Sequence, residues 1–272
     1  MFTYKGKTAL ITGASSGIGE AFAYALAQKG MSVILVARSE ERLRTLAQEI
    51  TQKYDVRAEV LAADLGQEDA AGPLAEALRQ RGLTVDLLVN NAGFGTRGCF
   101  ESLDPMREHQ EILLNVTAVV SLTHTLLPDI LARGGGGLIN VASTAGFQPV
   151  PFMAVYGASK AFVLSFSEAL AEEYRGRNLR VVTLCPGNTE TPFHSTVGGE
   201  DASFGKRRTS EQVAATGLRA LDGKGGVIVD GAANALTALI PRLLPRAVTA
   251  RLAGNIYRPR RASQDASLAS RT

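Results

Sequence analysis

The chain has 272 residues, a formal net charge of +3 and 45% hydrophobic residues, which is typical of a folded protein with a large core. Its basic residues are scattered and its aromatics are few, which excludes the basic stripe of a nucleic-acid-binding protein, and its cysteines and histidines lack metal-ligand spacing. The two cysteines form no disulfide framework and Lys5 and Lys7 interrupt any apolar signal core, so a cytoplasmic protein is expected.

Short apolar runs alternate along the chain with segments of helical length. The runs are rich in β-branched residues and are bounded by Gly, Asn, Asp or Pro, as buried parallel strands are. They are TALIT (8–12), SVILVA (32–37), AEVLAA (58–63), DLLVN (86–90), GLINVA (137–142), RVVTLC (180–185) and GVIVD (226–230). Helical segments between them include 40–54 and 70–82. This alternation predicts an α/β protein with a Rossmann-type doubly wound parallel sheet of about seven strands and helices on both faces. We expect one domain over residues 1–257.

The first glycine cluster, ITGASSGIG (11–19), stands where a phosphate site is built. The strand ends at Thr12, three glycines follow, and the next segment continues as a helix that Gly30 can end. The last glycines therefore fall on the helix amino terminus, where backbone N–H groups and the helix dipole favour an anion. The alternative is a tight turn without a ligand.

A second cluster, GFGTRG (93–98), fits the G-x-G-x-x-G pattern but not its setting. The next helix starts only later, with Asp104 as N-cap and Pro105 at the first helical position. No acid for a ribose stands about twenty residues further on. We therefore predict that this cluster does not hold phosphate but forms a rim of the site, with Phe94 near the substrate and Arg97 near the phosphate.

Arg38 follows the second strand, where a site for NAD(H) would hold Asp or Glu. An arginine suits the 2′-phosphate of NADP(H), because it pairs with phosphate bidentately and a carboxylate would repel it. The alternative is a solvated Arg38, with Ser39 capping the next helix, and Glu40 or Glu41 could still reach a ribose. NADP(H) is the expected cofactor and NAD(H) the alternative.

Proton transfer to a carbonyl oxygen requires an acid near the hydride acceptor. Of the six tyrosines, only Tyr156 has a lysine four positions further on, in YGASK. Because i and i+4 share a helix face, Lys160 can lower the pKa of the Tyr156 phenol. Ser143 follows a strand at the sheet edge where α/β proteins bind ligands, so its hydroxyl could position the substrate carbonyl. The alternative is a strand-end hydroxyl that bonds to the backbone.

Together these motifs resemble the short-chain dehydrogenase/reductase family, in its short single-domain branch, over about residues 5 to 232. The resemblance rests on TGASSGIG, Asp64, NNAG, Asn115, Ser143, Tyr156, Lys160 and Pro-Gly at 186–187. It implies that Tyr156 is the general acid, Lys160 its activator and the anchor of the ribose, Ser143 the carbonyl-positioning residue, and Asn115 a relay residue that binds water. For Asn115 the alternative is a satisfied core amide.

The resemblance and the residue pattern together give a set of cofactor contacts. Asp64 and Leu65 are expected near the adenine, although Asp64 could be a plain turn residue, and the loop after Pro-Gly is expected at the nicotinamide. Thr191 matches the family pattern, whereas Thr189 replaces a usual aliphatic residue. The full predicted set is Gly13, Ser15, Ser16, Gly17, Ile18, Gly19, Arg38, Asp64, Leu65, Asn91, Ala92, Gly93, Tyr156, Lys160, Pro186, Gly187, Thr189 and Thr191.

Aromatic residues cluster in the loops around the predicted site. Phe94, Phe147, Phe152 and Phe193 are candidate substrate contacts, with ordinary packing as the alternative. They favour an apolar ketone, aldehyde or acyl-derived compound as substrate. A polar segment at 188–208 is placed where a mobile lid could be, and 258–272 is expected to be a flexible basic tail.

The predicted function is the NADP(H)-dependent interconversion of a carbonyl and an alcohol. One alternative is a non-catalytic NADP-binding regulator. The other is a nucleotide-sugar epimerase or dehydratase, which is expected to have a longer chain than this one. The segment AFVLSFSEAL (161–170) is apolar around much of its circumference, which favours a homodimer or homotetramer. Segment 234–254, broken by Pro241 and Pro245, is expected to pack on a core or a partner; loose membrane contact is the alternative, and no stable insertion is expected.

Overall fold

Seven parallel strands form one sheet in the order β3-β2-β1-β4-β5-β6-β7 in the computed structural model, which describes residues 1–193, 197 and 207–259. The strands are β1 (Thr8–Thr12), β2 (Ser32–Ala37), β3 (Ala58–Ala62), β4 (Leu87–Asn90), β5 (Gly136–Val141), β6 (Leu179–Cys185) and β7 (Gly226–Val229). All seven match the predicted apolar runs to within one residue at each end. The doubly wound parallel sheet predicted from the sequence is confirmed.

Helices connect the strands and cover the sheet. They are α1 (Gly17–Gln28), α2 (Glu40–Tyr54), α3 (Ala71–Gln80), α4 (Pro105–Ile112), α5 (Ala118–Ala132), α6 (Ala154–Glu173), α7 (Ser210–Asp222), α8 (Ala232–Leu243) and α9 (Arg246–Tyr257). Short 3-10 turns at Phe100–Ser102 and Thr144–Phe147 add to these.

The two faces of the sheet bury separate apolar cores, because successive strand residues point to opposite faces. On one face Ile11 and Val33 pack with residues of α1, α2 and α7, such as Phe22. On the other face Leu10 and Ile34 pack with residues of α3 and α5. Helices therefore lie on both faces, as predicted.

The strand order reverses between β1 and β4, which are direct neighbours in the sheet. Parallel α/β sheets bind ligands in the crevice beyond the carboxyl ends of the strands at such a point. Gly13 follows β1 and Asn91 follows β4, so the first glycine cluster and the NNAG segment meet there.

The helix after the second glycine cluster starts late, as the sequence predicts. Asp104 is its N-cap and accepts a hydrogen bond from the N–H of Met106 at 3.0 Å, and Pro105 is the first helical residue. No helix opens from residues 93–98, which confirms that this cluster lacks the setting of a phosphate loop. Helices α4 and α5 are joined by a π turn at Leu113–Thr117 into one helix over 105–132.

This helix is long and apolar enough to cross a membrane by length and composition alone. Its apolar residues Ala118, Leu122, Leu126 and Ile130 instead belong to the core on one face of the sheet. The helix is therefore explained by its packing in the fold.

The carboxyl-terminal segment forms two helices rather than three pieces. The predicted break at Pro241 is wrong, since α8 continues through it to Leu243, and the chain breaks at Pro245, the N-cap of α9. A proline near the end of a helix removes only one of the last hydrogen bonds, which explains why the helix tolerates it. Packing on the fold is limited, because the fully buried residues of the two helices are the small Ala238, Thr249 and Ala253.

Candidate active site

The first glycine cluster forms a tight turn onto α1. Gly13 has a φ of 65°, and a Cβ on it would lie 2.9 Å from Asn91 Nδ2. A Cβ on Gly19 would lie 2.6 Å from the same atom and would overlap the carbonyl oxygen of Gly13. The site therefore requires glycine at both positions.

The residues between these glycines place backbone N–H groups at the start of α1 without a side-chain cap from Ser16. Ser16 is the N-cap in an extended conformation, and its side chain makes no capping hydrogen bond. The half-buried Ser15 is its neighbour, and the Ile18 side chain packs against the core, so Ile18 offers only its backbone. A helix start whose N–H groups are not capped by a side chain has the donors and the dipole for a phosphate.

Thr12 and Asn91 tie the carboxyl ends of β1 and β4 together. The buried Thr12 hydroxyl accepts from the N–H groups of Asn91 and Ala92 at 2.9 and 3.0 Å. The side-chain amide of Asn91 donates to the carbonyl of Thr12 at 2.9 Å. Asn91 and Ala92, two of the three predicted residues of the NNAG segment, are thereby fixed against the glycine turn.

The loop after β6 lies over the same turn. A Cβ on Gly17, which has a φ of 60°, would lie 2.9 Å from Thr191 Cγ2. Pro186 accepts a hydrogen bond from the N–H of Thr144 at 2.9 Å, and Thr189 donates to the carbonyl of Gly187 at 3.1 Å. The predicted nicotinamide loop and the predicted phosphate turn therefore face each other.

Arg38 is exposed at the carboxyl end of β2, where a second phosphate would be bound. Within the described ranges no carboxylate forms an ion pair with it, whereas Glu40 is bonded to Arg44 at 3.0 Å between Nε and Oε1. Ser39 is the N-cap of α2 but makes no side-chain capping bond. Neither the Arg38 guanidinium nor the Ser39 hydroxyl is therefore committed to an ion pair or a helix cap among the described residues. The bond of Glu40 to Arg44 weakens the alternative in which Glu40 binds a ribose.

Asp64 and Leu65 follow β3 and have different environments. Asp64 accepts from the N–H of Gly66 at 3.0 Å and from Gln67 Nε2 at 3.3 Å, so it forms a turn, the alternative considered from the sequence. The Leu65 side chain is buried in the core. A contact of either residue with an adenine would therefore use backbone groups or the outer side of the Asp64 carboxylate.

Ser143, Tyr156 and Lys160 meet beyond the carboxyl end of β5. The Ser143 side chain lies near the Tyr156 phenol. Burial raises the pKa of Tyr156 above its usual range, and the polar Ser143 side chain acts against this rise. The Ser143 hydroxyl also accepts from the N–H of Ala145 at 3.1 Å, which fixes its position.

Lys160 lies one helical turn after Tyr156 and is buried. Its ammonium donates to the carbonyl of Val141 at 3.0 Å and lies 5.8 Å from the centre of the Tyr156 ring. Burial lowers the pKa of Lys160 to about 8, while the carboxylate of Glu111 acts in the opposite direction. The predicted trio is therefore brought together, but the expected lowering of the Tyr156 pKa by Lys160 is not seen, because burial raises that pKa.

Asn115 lies in the π turn and is buried. Its side-chain amide donates to the carbonyl of Phe94 at 2.8 Å and to Ser159 Oγ at 3.1 Å, and it accepts from the N–H of Phe94 at 3.1 Å. A Cβ on Gly93 would lie 2.9 Å from Asn115 Oδ1 and 3.4 Å from Lys160 Nζ. The side chain thus holds the NNAG segment beside Lys160, as a satisfied core amide, the alternative considered from the sequence.

Only one of the four candidate substrate aromatics contacts the phenol directly. Phe193 lies 5.3 Å from the Tyr156 ring centre to centre. The rings of Phe94, Phe147 and Phe152 are instead covered by Arg107, Arg242 and Arg258, at 3.9, 5.8 and 5.8 Å from the ring centres. Phe147 also packs against a core cluster behind the sheet edge, so ordinary packing accounts for part of this set.

The second glycine cluster lines the active site, as predicted for a rim. A Cβ on Gly95 would lie 2.9 Å from Tyr156 Cδ2 and 3.2 Å from Phe193 Cζ. Arg97 donates to the carbonyl of Tyr257 at 3.0 Å and to that of Arg258, so it binds the end of α9 rather than facing the phosphate turn.

Two features of the site escaped the sequence analysis. Tyr257, at the end of α9, packs into the apolar cluster of Met153, Tyr156 and Phe193. Glu108 and Glu111 are buried and share the hydroxyl of Thr96. The available signal was spacing, because Glu111 stands four residues before Asn115 and shares its helix face.

The predicted lid and tail are described only in part. Residues 194–196, 198–206 and 260–272 lie outside the described residues. Within the lid, Arg208 pairs with Asn188 and Glu190 through the backbone and forms an ion pair with the buried Asp230 at 2.5 Å. Val197 is buried in the apolar cluster beside Met153.

Known proteins resemble this chain in sequence. 17-beta-hydroxysteroid dehydrogenase type 3 of Mus musculus is 37% identical over 191 residues, 69% of this chain and 62% of that protein. Very-long-chain 3-oxoacyl-CoA reductase of Anas platyrhynchos is 37% identical over 191 residues, 66% of this chain and 59% of that protein. The chain thus spans less than two thirds of the length of these relatives.

Solved structures share the fold. A short-chain dehydrogenase from Sphingobium yanoikuyae in complex with NADPH has a TM-score of 0.78 and 31% identity, covering 86% of this chain and 91% of that one. A short-chain dehydrogenase/reductase from Burkholderia phymatum in complex with NAD has a TM-score of 0.80 and 25% identity, covering 90% and 98%. The family model described as short chain dehydrogenase matches residues 7–201. The chain belongs to the short-chain dehydrogenase/reductase family of oxidoreductases.

Proposed function

We propose that this chain is an NADP(H)-dependent oxidoreductase that interconverts an apolar ketone or aldehyde and the corresponding alcohol, with its catalytic domain over residues 1–257. The observation that carries the proposal is that Ser143 lies near enough to the Tyr156 phenol to influence its pKa, with the buried Lys160 ammonium 5.8 Å from the centre of the Tyr156 ring. A phenol, a hydroxyl and a cation at the carboxyl edge of the sheet are the groups that a carbonyl oxygen needs as it gains charge.

The proton steps follow from the surroundings of the phenol. A nicotinamide cofactor bound at the glycine turn would supply the hydride to the carbonyl carbon. Tyr156 is protonated at neutral pH because burial raises its pKa, so it can donate its proton to the carbonyl oxygen. Ser143 donates to the same oxygen and holds it in place. Lys160 stabilises the phenolate that remains, and Asn115 fixes the segment that faces Lys160.

Preference for NADP(H) is supported by the exposed Arg38 at the end of β2. A guanidinium with no carboxylate partner among the described residues can bind the 2′-phosphate, and the Glu40 carboxylate is directed to Arg44. Of the two similar structures, one holds NADPH and the other holds NAD, so family membership alone does not decide between the cofactors.

An apolar substrate is supported by the surroundings of Tyr156. The neighbouring cluster contains Ala145, Val150, Met153 and Val197, with Phe193 and Tyr257 packed against it. The two relatives with printed activities are named for a hydroxysteroid and a very-long-chain 3-oxoacyl-CoA, both largely apolar molecules. We therefore expect a ketone or aldehyde with a bulky apolar body.

A homodimer or homotetramer in the cytoplasm completes the proposal. Phe162 on α6 is 42% exposed and stacks on Phe166 at 5.8 Å between ring centres. An open groove of about 500 Å³ lies between α5 and α6 and is lined by residues that include His124, Leu127 and Tyr174. Exposed apolar helix faces of this kind are typical of contacts between subunits.

The test is a panel of steroid ketones, 3-oxoacyl thioesters, aryl ketones and aldehydes, with NADPH absorbance as the readout. We expect turnover of at least one apolar carbonyl and none with Tyr156→Phe, while NADPH binding by that variant is retained. A non-catalytic NADP-binding regulator would bind NADPH but reduce no member of the panel. Epimerisation of nucleotide sugars without net NADPH consumption would favour the remaining alternative.

A further inference from the structure

The two carboxyl-terminal helices expose a continuous series of large apolar residues. On α8 these are Leu236, Leu239, Ile240 and Leu243, at the spacing of one helix face, and on α9 they are Val248, Leu252 and Ile256. Leu243 is 83% exposed and Leu236 is 68% exposed. Of the large apolar side chains that are exposed in the described part of the chain, most lie between residues 236 and 256, so exposure is concentrated on one segment.

The charge of this segment has one sign. Residues 231–259 contain no aspartate or glutamate, and they carry Arg242, Arg246, Arg251 and Arg258, all exposed. We name the exposed apolar and arginine side chains of residues 236–258 the carboxyl-terminal face. Helices that expose apolar side chains next to arginines are typical of proteins that bind at a membrane interface, where an apolar interior meets anionic headgroups.

A second copy of this chain does not match the carboxyl-terminal face. A twofold contact would place the same surface on both sides, so arginines would approach arginines with no acidic residue of 231–259 to pair with them. Packing among the residues that the structure describes does not cover the face either, because the buried side chains of α8 and α9 are Ala238, Thr249 and Ala253.

We propose that the carboxyl-terminal face docks on the surface of an anionic lipid bilayer. The leucines and isoleucines enter the boundary between headgroups and acyl chains, and the arginines bind the lipid phosphates and other negative headgroups. Two helices of about three turns each are too short to cross a bilayer, so contact is peripheral. This inference goes beyond the proposed reaction and does not depend on it.

The carboxyl-terminal face adjoins the active site. Tyr257, the last residue of α9, packs in the cluster that contains Tyr156 and Phe193. Pro151, before α6, lies 3.4 Å from where a Cβ on Gly254 would stand. Docking through α9 therefore brings the apolar cluster around Tyr156 close to the lipid surface, from which an apolar carbonyl compound could reach it.

The test is flotation of the full chain with vesicles of phosphatidylcholine alone and with added phosphatidylglycerol. We expect the protein to float with the anionic vesicles and to dissociate as salt rises to about 0.5 M, because screening weakens surface charge. Leu239→Ser/Leu243→Ser should lower the bound fraction with anionic vesicles, as should Arg246→Glu/Arg251→Glu, by about tenfold or more.

Matched controls distinguish binding through this surface from non-specific hydrophobic or electrostatic binding to vesicles. Met106→Ser removes an apolar side chain that is 64% exposed on α4, and Lys5→Glu/Lys224→Glu makes the same charge change at the amino-terminal edge of the sheet. Both should leave vesicle binding unchanged, and thermal melting by circular dichroism verifies that every variant is folded. Absence of flotation, equal loss in the control variants, or a self-association lost in Leu239→Ser/Leu243→Ser without vesicle binding would overturn the proposal, whereas failure of the carbonyl panel would leave it standing.

Discussion

The hydroxyl of Thr96 donates to the fully buried carboxyl group of Glu111, at 2.8 Å between Oγ1 and Oε2. The same hydroxyl contacts Glu108 Oε1, and each carboxyl keeps a second buried oxygen with no partner among the described residues. A threonine hydroxyl has one proton to donate, so it cannot satisfy two ionised carboxylates at once. Burial, and then the neighbouring Glu108, raise the pKa of Glu111 to about 7 against the effect of Thr96.

This raised pKa predicts a pH-dependent stability. Between about pH 4.5 and about pH 7 the unfolded chain ionises Glu111 while the folded chain keeps it protonated, so the free energy of unfolding falls as pH rises through this window. Each pKa unit corresponds to about 1.4 kcal/mol. Glu111→Gln cannot ionise, so its urea midpoint should fall less between these pH values than the wild-type midpoint does.

A matched control tests whether Glu111 causes this dependence of stability on pH. Glu101 is exposed just before the same helix, so Glu101→Gln should reproduce the wild-type dependence on pH. Parallel curves for Glu111→Gln and the wild type would show that Glu111 ionises alike in both states and would contradict the prediction.

The same carboxyl group should influence catalysis through Lys160. Burial lowers the pKa of Lys160 to about 8, so the rate of carbonyl reduction should fall above about pH 8 as the ammonium that stabilises the phenolate loses its proton. Ionised Glu111 raises the pKa of Lys160, so Glu111→Gln should move this fall to lower pH. The measurement is kcat/KM for reduction from about pH 6 to about pH 10. An unchanged alkaline limb with a uniformly lower rate would assign Glu111 a purely structural role.

Strand positions could be predicted closely because their signal is local. The runs at 8–12 and 32–37 coincide with β1 and β2, since β-branched residues between turn formers suit the pleated surface of a buried strand. The positions of the site residues could be predicted in the same way. Ser143 follows the end of a strand, and Tyr156 and Lys160 stand four residues apart on one helix face. Their meeting at the sheet edge follows from the doubly wound topology.

Features set by contacts distant in sequence could not be predicted. The π turn at Leu113–Thr117 accompanies the bonding of the Asn115 amide to the backbone of Phe94, and nothing in the local sequence distinguishes it from α-helix. Charged residues on a helix usually indicate a solvated face, so the burial of Glu111 was signalled only by its position four residues before Asn115. Tyr257 received no role in the predicted site, because its partners Met153 and Tyr156 lie about a hundred residues earlier in the chain.

Arg38 should determine the choice of cofactor. Replacing it with aspartate, in Arg38→Asp, removes a phosphate ligand and adds a charge that repels the 2′-phosphate but accepts from ribose hydroxyls. A charged hydrogen bond is worth about 1.5 to 3 kcal/mol, so the KM for NADPH should rise about 10- to 100-fold while that for NADH falls. Arg42→Asp makes the same change four residues later, at an exposed position of α2, and should leave the ratio of the KM values for NADPH and NADH unaltered. Equal effects of the two substitutions would place the phosphate away from Arg38.

The glycine turn should reject a single methyl group. In Gly19→Ala the new Cβ would overlap the carbonyl oxygen of Gly13 and lie 2.6 Å from Asn91 Nδ2, so either the turn opens or Asn91 leaves the bond that joins β1 to β4. Both movements displace the first N–H groups of α1, and we expect NADPH affinity measured by calorimetry to fall at least tenfold, with a lower melting temperature. Gly223→Ala is the control, because its Cβ would meet its nearest atom at 3.4 Å. Full NADPH affinity in Gly19→Ala would mean that the phosphate is held elsewhere, and GFGTRG at 93–98 would return as the competing site.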